Sequence, residues 1–332
     1  MLKKVLNKPI NKILIIRLSS LGDILLTTPI IRAVKEKYPS ANIDFTVRNQ
    51  YKDALIRNPN ISNLIIYENG NAGQIKSDLK TAGYDLIIDL QNNIKSRKLI
   101  AGLKAEVRRF NKPSLKKILL VKFKINLLKN LVTIPERYAS AAGVNIDGKS
   151  PELILHKGIK SNLEKGSNYI GFCPGSKHFT KRWPAEYFID LGNKLVKKGS
   201  IVVLFGGRDD AELCQAIAEK IPGSINLQND NALLQTASDM KECKLIVTND
   251  SGLMHTASAV GIPIVAIFGS TVREFGFIPS GTQNLILENN SLSCRPCSHI
   301  GKAICPKKHF KCMNELTAGF VLGQIQKFQR GL

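Results

Sequence analysis

Short apolar runs that alternate with helical patterns constrain this chain more than any other feature. Residues 12–18 (KILIIRL) form a continuous Ile/Leu-rich run of strand length. A run without polar alternation marks a strand buried on both faces, as in a parallel sheet. A helical pattern follows from about residue 24 to 37 and ends at Tyr38-Pro39. The rhythm repeats, with strands at 42–47, 63–67 and 84–90 and helices at 50–57 and 74–82. Strands separated by helices build βαβ units and an open parallel sheet, so the pattern predicts an α/β fold.

Residues 94–103 and 114–129 read as basic helices and 135–142 as a short one. The segment 145–167 is polar and rich in Gly, Ser and Lys, which predicts a domain boundary with a short strand at 153–155. A second alternation follows: strands at 168–172, 201–205, 245–248 and 264–268, helices at 184–198, 209–220, 232–241 and 251–260. At 332 residues the chain exceeds what one core usually fills. Two Rossmann-like domains, 1–155 and 156–315, facing one another across a cleft, with ligands at the carboxyl ends of the strands, are the simplest architecture.

Charge narrows the partners. The chain carries 48 Lys+Arg against 26 Asp+Glu, a net +22, of which residues 1–155 hold +15. The densest stretch, 93–130, has 12 basic residues and one acid, Glu106. Such an excess serves nucleic acid, an anionic membrane surface or a phosphorylated substrate. There is no basic tail, aromatics are 6%, and no helix-turn-helix, zinc-finger helix or RNP signature occurs, which argues against nucleic acid. Residues 1–9 (MLKKVLNKP) are too polar for a signal peptide and no apolar run reaches membrane-spanning length, so a cytoplasmic protein is expected. In that reducing setting the seven cysteines read as core residues or metal ligands.

Five segments carry chemistry. In the loop Ser19-Ser20-Leu21-Gly22-Asp23, Gly22 permits a tight turn and Asp23 arrives at a strand's carboxyl end. A carboxylate there serves equally as proton acceptor from a substrate hydroxyl or as a helix cap. In 174–184 (PGSKHFTKRWP), Ser176, Thr180 and backbone N–H groups suit phosphate oxygens, and Lys177, Lys181 and Arg182 supply charge; the alternative is a solvated basic loop. Trp183 reads as a packing anchor. In 248–255 (TNDSGLMH), Ser251 and Gly252 offer N–H groups at a helix start and Asp250 suits sugar hydroxyls. His255 either points back at that site or packs. In 206–212 (GGRDDAE), an acid can hold a ribose diol or simply favour the helix dipole. Cys294, Cys297, Cys305 and Cys312, spaced C-x2-C-x7-C-x6-C with His299 and His309 between, read as a structural zinc or iron knuckle or as free thiols. No Walker loop, H-E-x-x-H, G-x-S-x-G or Asp-x-Asp occurs.

In order and spacing, residues 13–29 (ILIIRLSSLGDILLTTP), 174–184 and 248–255 running on to 267–271 (IFGST) resemble the heptosyltransferases of lipopolysaccharide assembly, glycosyltransferase family 9. The cysteine pattern looks like that of a subset of that family, and Gly269-Ser270-Thr271 departs from its more usual Gly-Pro-Thr/Ser. The resemblance implies a GT-B fold and metal-independent, inverting transfer with no cofactor for catalysis. It implies an acceptor bound mainly by the N-terminal domain, at the loop with Ser19, Ser20 and Gly22, and Asp23 as general base. It implies a nucleotide-diphosphate sugar donor, ADP-heptose, on the C-terminal domain. Lys181 would contact the diphosphate with Ser176 and Lys177 nearby. Asp250 would hold the sugar, Ser251 and Gly252 would offer N–H groups, Asp209 or Glu212 would hold the ribose, and His255 would lie close by. The last helix, in 316–332, would cross back to the N-terminal domain.

The acceptor so implied is an anionic lipid-linked saccharide at the inner membrane. The basic N-terminal half would dock there, at about 1 kcal/mol per Lys or Arg near the surface. Residues 114–129 mix cations and apolar groups as an interfacial helix does, or as an ordinary packed helix does. The competing functions are a nucleotide-sugar epimerase on the same twin plan and a basic nucleic-acid-binding protein.

Overall fold

The computed structural model describes residues 9–331; the polar stretch at 1–8 lies outside them. The chain is α/β, with two all-parallel sheets. It divides into two compact units, one running to Asn111 and including Pro135–Asp147, the other comprising Lys112–Ile134 and Gly148–Leu332.

The first unit holds β1 (Lys12–Ile16), β2 (Asn42–Arg48), β3 (Asn63–Tyr67), β4 (Leu86–Asp89) and β5 (Glu106–Arg109) in the order β3-β2-β1-β4-β5. Ile13 to Ile16 are fully buried because β1 is central and covered on both faces. The helical pattern after β1 forms two helices, α1 (Leu21–Leu25) and α2 (Thr28–Lys37). Pro29 explains the break: it fits only a first turn, and the Thr27 and Thr28 hydroxyls donate back to the carbonyls of Ile24 and Leu25. The segment predicted helical at 50–57 is a 3-10 turn, Asn49–Ala54. The helices α3 (Ala72–Ala82) and α4 (Ile94–Ile100) complete the alternation.

Residues 114–129 are not one helix. A short α5 (Ser114–Ile118) runs into a single wider turn, Leu119–Phe123, and stops at Lys124, whose φ is 62°. The Lys124 ammonium donates to the carbonyls of Val121, Cys294 and Pro296, which fixes the turn and ties it to the second unit. Residues 112–134 therefore belong to that unit, although the charge pattern groups them with the N-terminal half. The next helix, α6 (Ile134–Ala142), returns to the first unit.

The second unit orders β6 (Tyr169–Cys173), β7 (Ile201–Leu204), β8 (Ile225–Asn226), β9 (Leu245–Asn249), β10 (Ile264–Phe268) and β11 (Asn284–Glu288) as β11-β10-β9-β6-β7-β8. Its helices are α7 (Ala185–Val196), α8 (Ala211–Ala218), α9 (Leu233–Met240), α10 (Gly252–Ala259), α11 (Lys311–Asn314) and α12 (Ala318–Arg330). Trp183 sits in the core beside Phe172 and Phe188, and its indole N–H donates to the Leu316 carbonyl at 2.8 Å. Ala318, Val321 and Ile325 of α12 lie in this same core, against α7. The predicted strand at 153–155 is irregular, while β5, β8 and β11 are strands that the apolar pattern misses. All three are edges, half-exposed and mixed in polarity, so their apolar runs are short or absent. Among the described residues no helix is long and apolar enough to cross a membrane.

Candidate active site

Each sheet has one place where the strand order reverses, and there the loops after two central strands diverge and leave a crevice. In the first unit it lies between β1 and β4; in the second, between β6 and β9. Ser20 and Asp23 lie at the first of these places, and Ser176, Lys181, Asp250, Ser251 and Gly252 at the second.

After β1, the loop is pinned to the loop after β4. The Gln91 side-chain oxygen accepts from the backbone N–H groups of Leu18 (2.9 Å) and Ser19 (3.3 Å). Asp23 occupies the third position of α1. One carboxylate oxygen, Oδ2, accepts from the Ser20 N–H (3.1 Å) and hydroxyl (2.8 Å), a cap of the kind expected of an acid there. The other, Oδ1, meets the Arg17 guanidinium at 2.7 Å and accepts from the Tyr138 hydroxyl at 3.1 Å. Burial opposes the charged form, but the Arg17 charge and the Ser20 donors outweigh it and hold Asp23 below the ordinary carboxylate range. Burial and the Asp23 charge raise Tyr138 well above the usual phenol range, so it stays a neutral donor. Arg17 is itself locked, donating to the carbonyls of Ser19 and Leu90. Arg17, Gln91 and Tyr138 are the members sequence reasoning missed. Arg17 sat in view within the apolar strand motif, where a cation is out of place; Tyr138 is remote in sequence and gave no signal.

After β6, the loop 174–184 is stapled to the end of β9 by Asn249, whose side chain donates to the Pro174 carbonyl and accepts from the Trp183 N–H. Lys181 pairs with Asp250 at 2.7 Å, and the Thr271 hydroxyl donates to the same carboxylate oxygen at 2.8 Å. The Ser176 hydroxyl donates to the Asp250 carbonyl at 3.4 Å, and Arg182 braces the Ser176 carbonyl at 2.6 Å. Thus Ser176, Lys181 and Asp250 come together, with Ser251 and Gly252 next in the chain as the cap and first residue of α10. The Ser251 hydroxyl is buried and has no hydrogen-bond partner among the described residues. Burial and the charges of Lys181 and Lys177 push the His178 imidazole below its usual value, a sign of the positive potential in this loop.

Lys177 is exposed, as are Asp209 and Glu212. The acid that faces the loop is Asp210: a Cβ on Gly175 would meet its carboxylate at 2.2 Å. Burial raises Asp210 above the ordinary range even though the Gly207 N–H donates to it. His255 is buried, its ring edge-on to Phe277 at 6.5 Å, which favours packing.

The structural metal expected at the four cysteines finds no support among the described residues: no three His, Cys, Asp or Glu side chains there are placed to hold an ion. Cys312 is a core residue whose thiol burial pushes up to about 12, and Cys294 turns toward His309 at 3.8 Å. The residue between the first two thiols explains the motif better. Arg295 is buried and donates to the carbonyls of Gly269, Thr271 and Asn289 at 2.6–2.9 Å while pairing with Glu288 at 2.9 Å. It braces the Gly269–Thr271 turn that aims Thr271 at Asp250.

Charged groups gathered at the switch point of each doubly wound unit suit an enzyme that handles anionic ligands, and comparison with known proteins gives its class: a glycosyltransferase. Residues 73–308 match the model of glycosyltransferase family 9 (heptosyltransferase), and the chain belongs to that family. It is 30% identical over 293 residues to the lipopolysaccharide heptosyltransferase 2 of Salmonella typhimurium, covering 80% of this chain and 84% of that one. The structure of E. coli ADP-heptose lipopolysaccharide heptosyltransferase II superposes with a TM-score of 0.74 at 26% identity, over 97% of this chain and 100% of the other. A glycosyltransferase family 9 structure from Veillonella parvula shares the fold, with a TM-score of 0.79 at 21% identity over 98% and 99% of the two chains.

Proposed function

We propose that the protein transfers heptose from ADP-heptose to a lipopolysaccharide-core acceptor, in one inverting displacement that needs no metal. The observation that carries this is Asp23, a carboxylate kept ionised at the switch point of a chain in this family. In this reading the acceptor binds the first unit and the donor the second. The nomenclature of the relatives supports the donor and acceptor chosen.

In this mechanism the acceptor oxygen attacks the anomeric carbon, the bond from that carbon to the diphosphate breaks, and ADP leaves. The hydroxyl proton passes to Asp23. All four lone-pair directions of the carboxylate are filled, but the Ser20 hydroxyl is an exposed and rotatable donor. The acceptor hydroxyl takes its place on Oδ2 while Arg17 and Tyr138 keep Oδ1 fixed. Charge on the leaving diphosphate is met by Lys181, by the N–H groups of Ser251 and Gly252, and by the unpartnered Ser251 hydroxyl. Asp250 is then released from Lys181 to accept sugar hydroxyls, with Thr271 still holding it, and Asp210 is the acid best set to hold a ribose. The protein would work at the cytoplasmic face of the inner membrane, where such an acceptor is anchored.

The test is direct: purified protein, ADP-heptose and a heptose-deficient core acceptor, with the product weighed by mass spectrometry. Addition of one heptose with release of ADP is expected. Donor turnover without any acceptor would replace this function with an epimerase.

A further inference from the structure

Among the described residues, seven of the thirteen exposed large hydrophobic side chains fall between Leu115 and Val132. They include Leu115 at 70%, Phe123 at 64% and Leu127 at 52% exposure. Soluble surfaces rarely concentrate apolar groups this way without a partner. Over 112–132 the chain also carries six lysines and no acid, with Lys112, Lys116, Lys122, Lys124 and Lys129 exposed.

The segment is held from beneath. Leu120 and Leu128 are buried with Val272 and Phe275 in a small cluster of the second unit. Lys117 lies over the rings of Phe275 and Phe277, and the Asn126 side chain donates to Glu274. With the left-handed turn at Lys124, these ties keep the neighbouring Phe123 and Ile125 turned outward instead of into the core. Apolar tips set among lysines without a carboxylate are complementary to an anionic lipid surface: the tips enter the headgroup boundary and the lysines meet phosphate.

We propose that residues 115–132 are the surface through which this protein seats on an anionic bilayer. The proposal rests on the acceptor being membrane-borne, and it assigns the docking element to the second unit, not the first. The experiment is co-sedimentation with vesicles of phosphatidylcholine alone and of phosphatidylcholine with one-third phosphatidylglycerol. The protein is compared with F123S/I125S/L127S and with K116Q/K122Q/K129Q, each checked for an unchanged melting temperature. Turnover on a delipidated, water-soluble core acceptor is measured in parallel.

The parent should bind the anionic vesicles, less so as salt rises. Each triple variant should bind at least tenfold more weakly, since one lysine at such a surface contributes about fivefold. Turnover on the soluble acceptor should stay within about twofold of the parent in both variants. Vesicle affinity unchanged in both variants overturns the surface while leaving membrane docking standing. A parent indifferent to anionic vesicles, or one that captures an acidic protein through these residues instead, overturns the proposal outright. Loss of parental turnover on the soluble acceptor strikes the proposed transfer reaction and leaves the vesicle result to decide the surface.

Discussion

The two switch points hold charge in opposite ways. At the end of β1 a negative charge is boxed in: Asp23 has a guanidinium, a phenol, a hydroxyl and a backbone N–H on its two oxygens. At the end of β6 a positive charge is held by one contact, Lys181 on Asp250, beside a helix start whose cap hydroxyl has no partner among the described residues. The first arrangement fixes a protonation state and an orientation. The second is a provisional pairing that an incoming anion can exchange. The proposed base should not wander and the proposed donor seat should load and unload, and the hydrogen-bond saturation differs in that sense.

The comparison can be broken by substitution. Asp23→Asn removes the proton acceptor and also the charge paired with Arg17, so turnover should fall by roughly 10²–10⁴ with some loss of stability; turnover within a few-fold of the parent would return Asp23 to the role of a cap. Arg295→Met strips the brace from the second site and leaves Glu288 buried beside Arg273 alone. Denaturant unfolding should register a loss of about 3–5 kcal/mol, as for other broken buried pairs. Ser251→Ala tests the unpartnered cap hydroxyl and should weaken donor binding only a few-fold, without loss of stability, since the hydroxyl bonds nothing among the described residues.

Arg17→Met sharpens the comparison through pH. With Arg17 present, Asp23 titrates below the ordinary carboxylate range. Its ionisation therefore adds stability at pH values above that range, and the contribution is lost as pH falls through the lower folded value. Without Arg17, burial dominates and the carboxyl rises, so the acid limb of the kcat/KM profile should move up by about one pH unit or more. A limb that stays put would mean that Ser20 alone sets the charge.

Much of this was legible in the sequence for a physical reason. Central parallel strands such as β1 and β9 are buried on both faces, so their apolar runs are continuous, and the residues just after them fall at the strand ends where ligands bind. Asp23, Ser176, Lys181 and Asp250 could be picked out on that ground. Although the edge strand β3 was legible, the edge strands β5 and β11 were not, because they are half in water and mix polar with apolar residues. Nor were partners made by tertiary packing. Tyr138 reaches Asp23 across 115 positions, and Asp210, not Asp209 or Glu212, faces Gly175 because of how the loop after β7 turns. The cysteine spacing likewise gave no sign that Arg295, between the first two thiols, organises the loop.

The division of labour between the two corners is tested most directly by calorimetric titration of ADP into Asp23→Asn and Lys181→Ala. The account predicts parental affinity in the first and a loss of roughly 10–100-fold in the second, the scale of one charge-assisted contact. Equal affinity in Lys181→Ala and the parent, or a matching loss in Asp23→Asn, would contradict it.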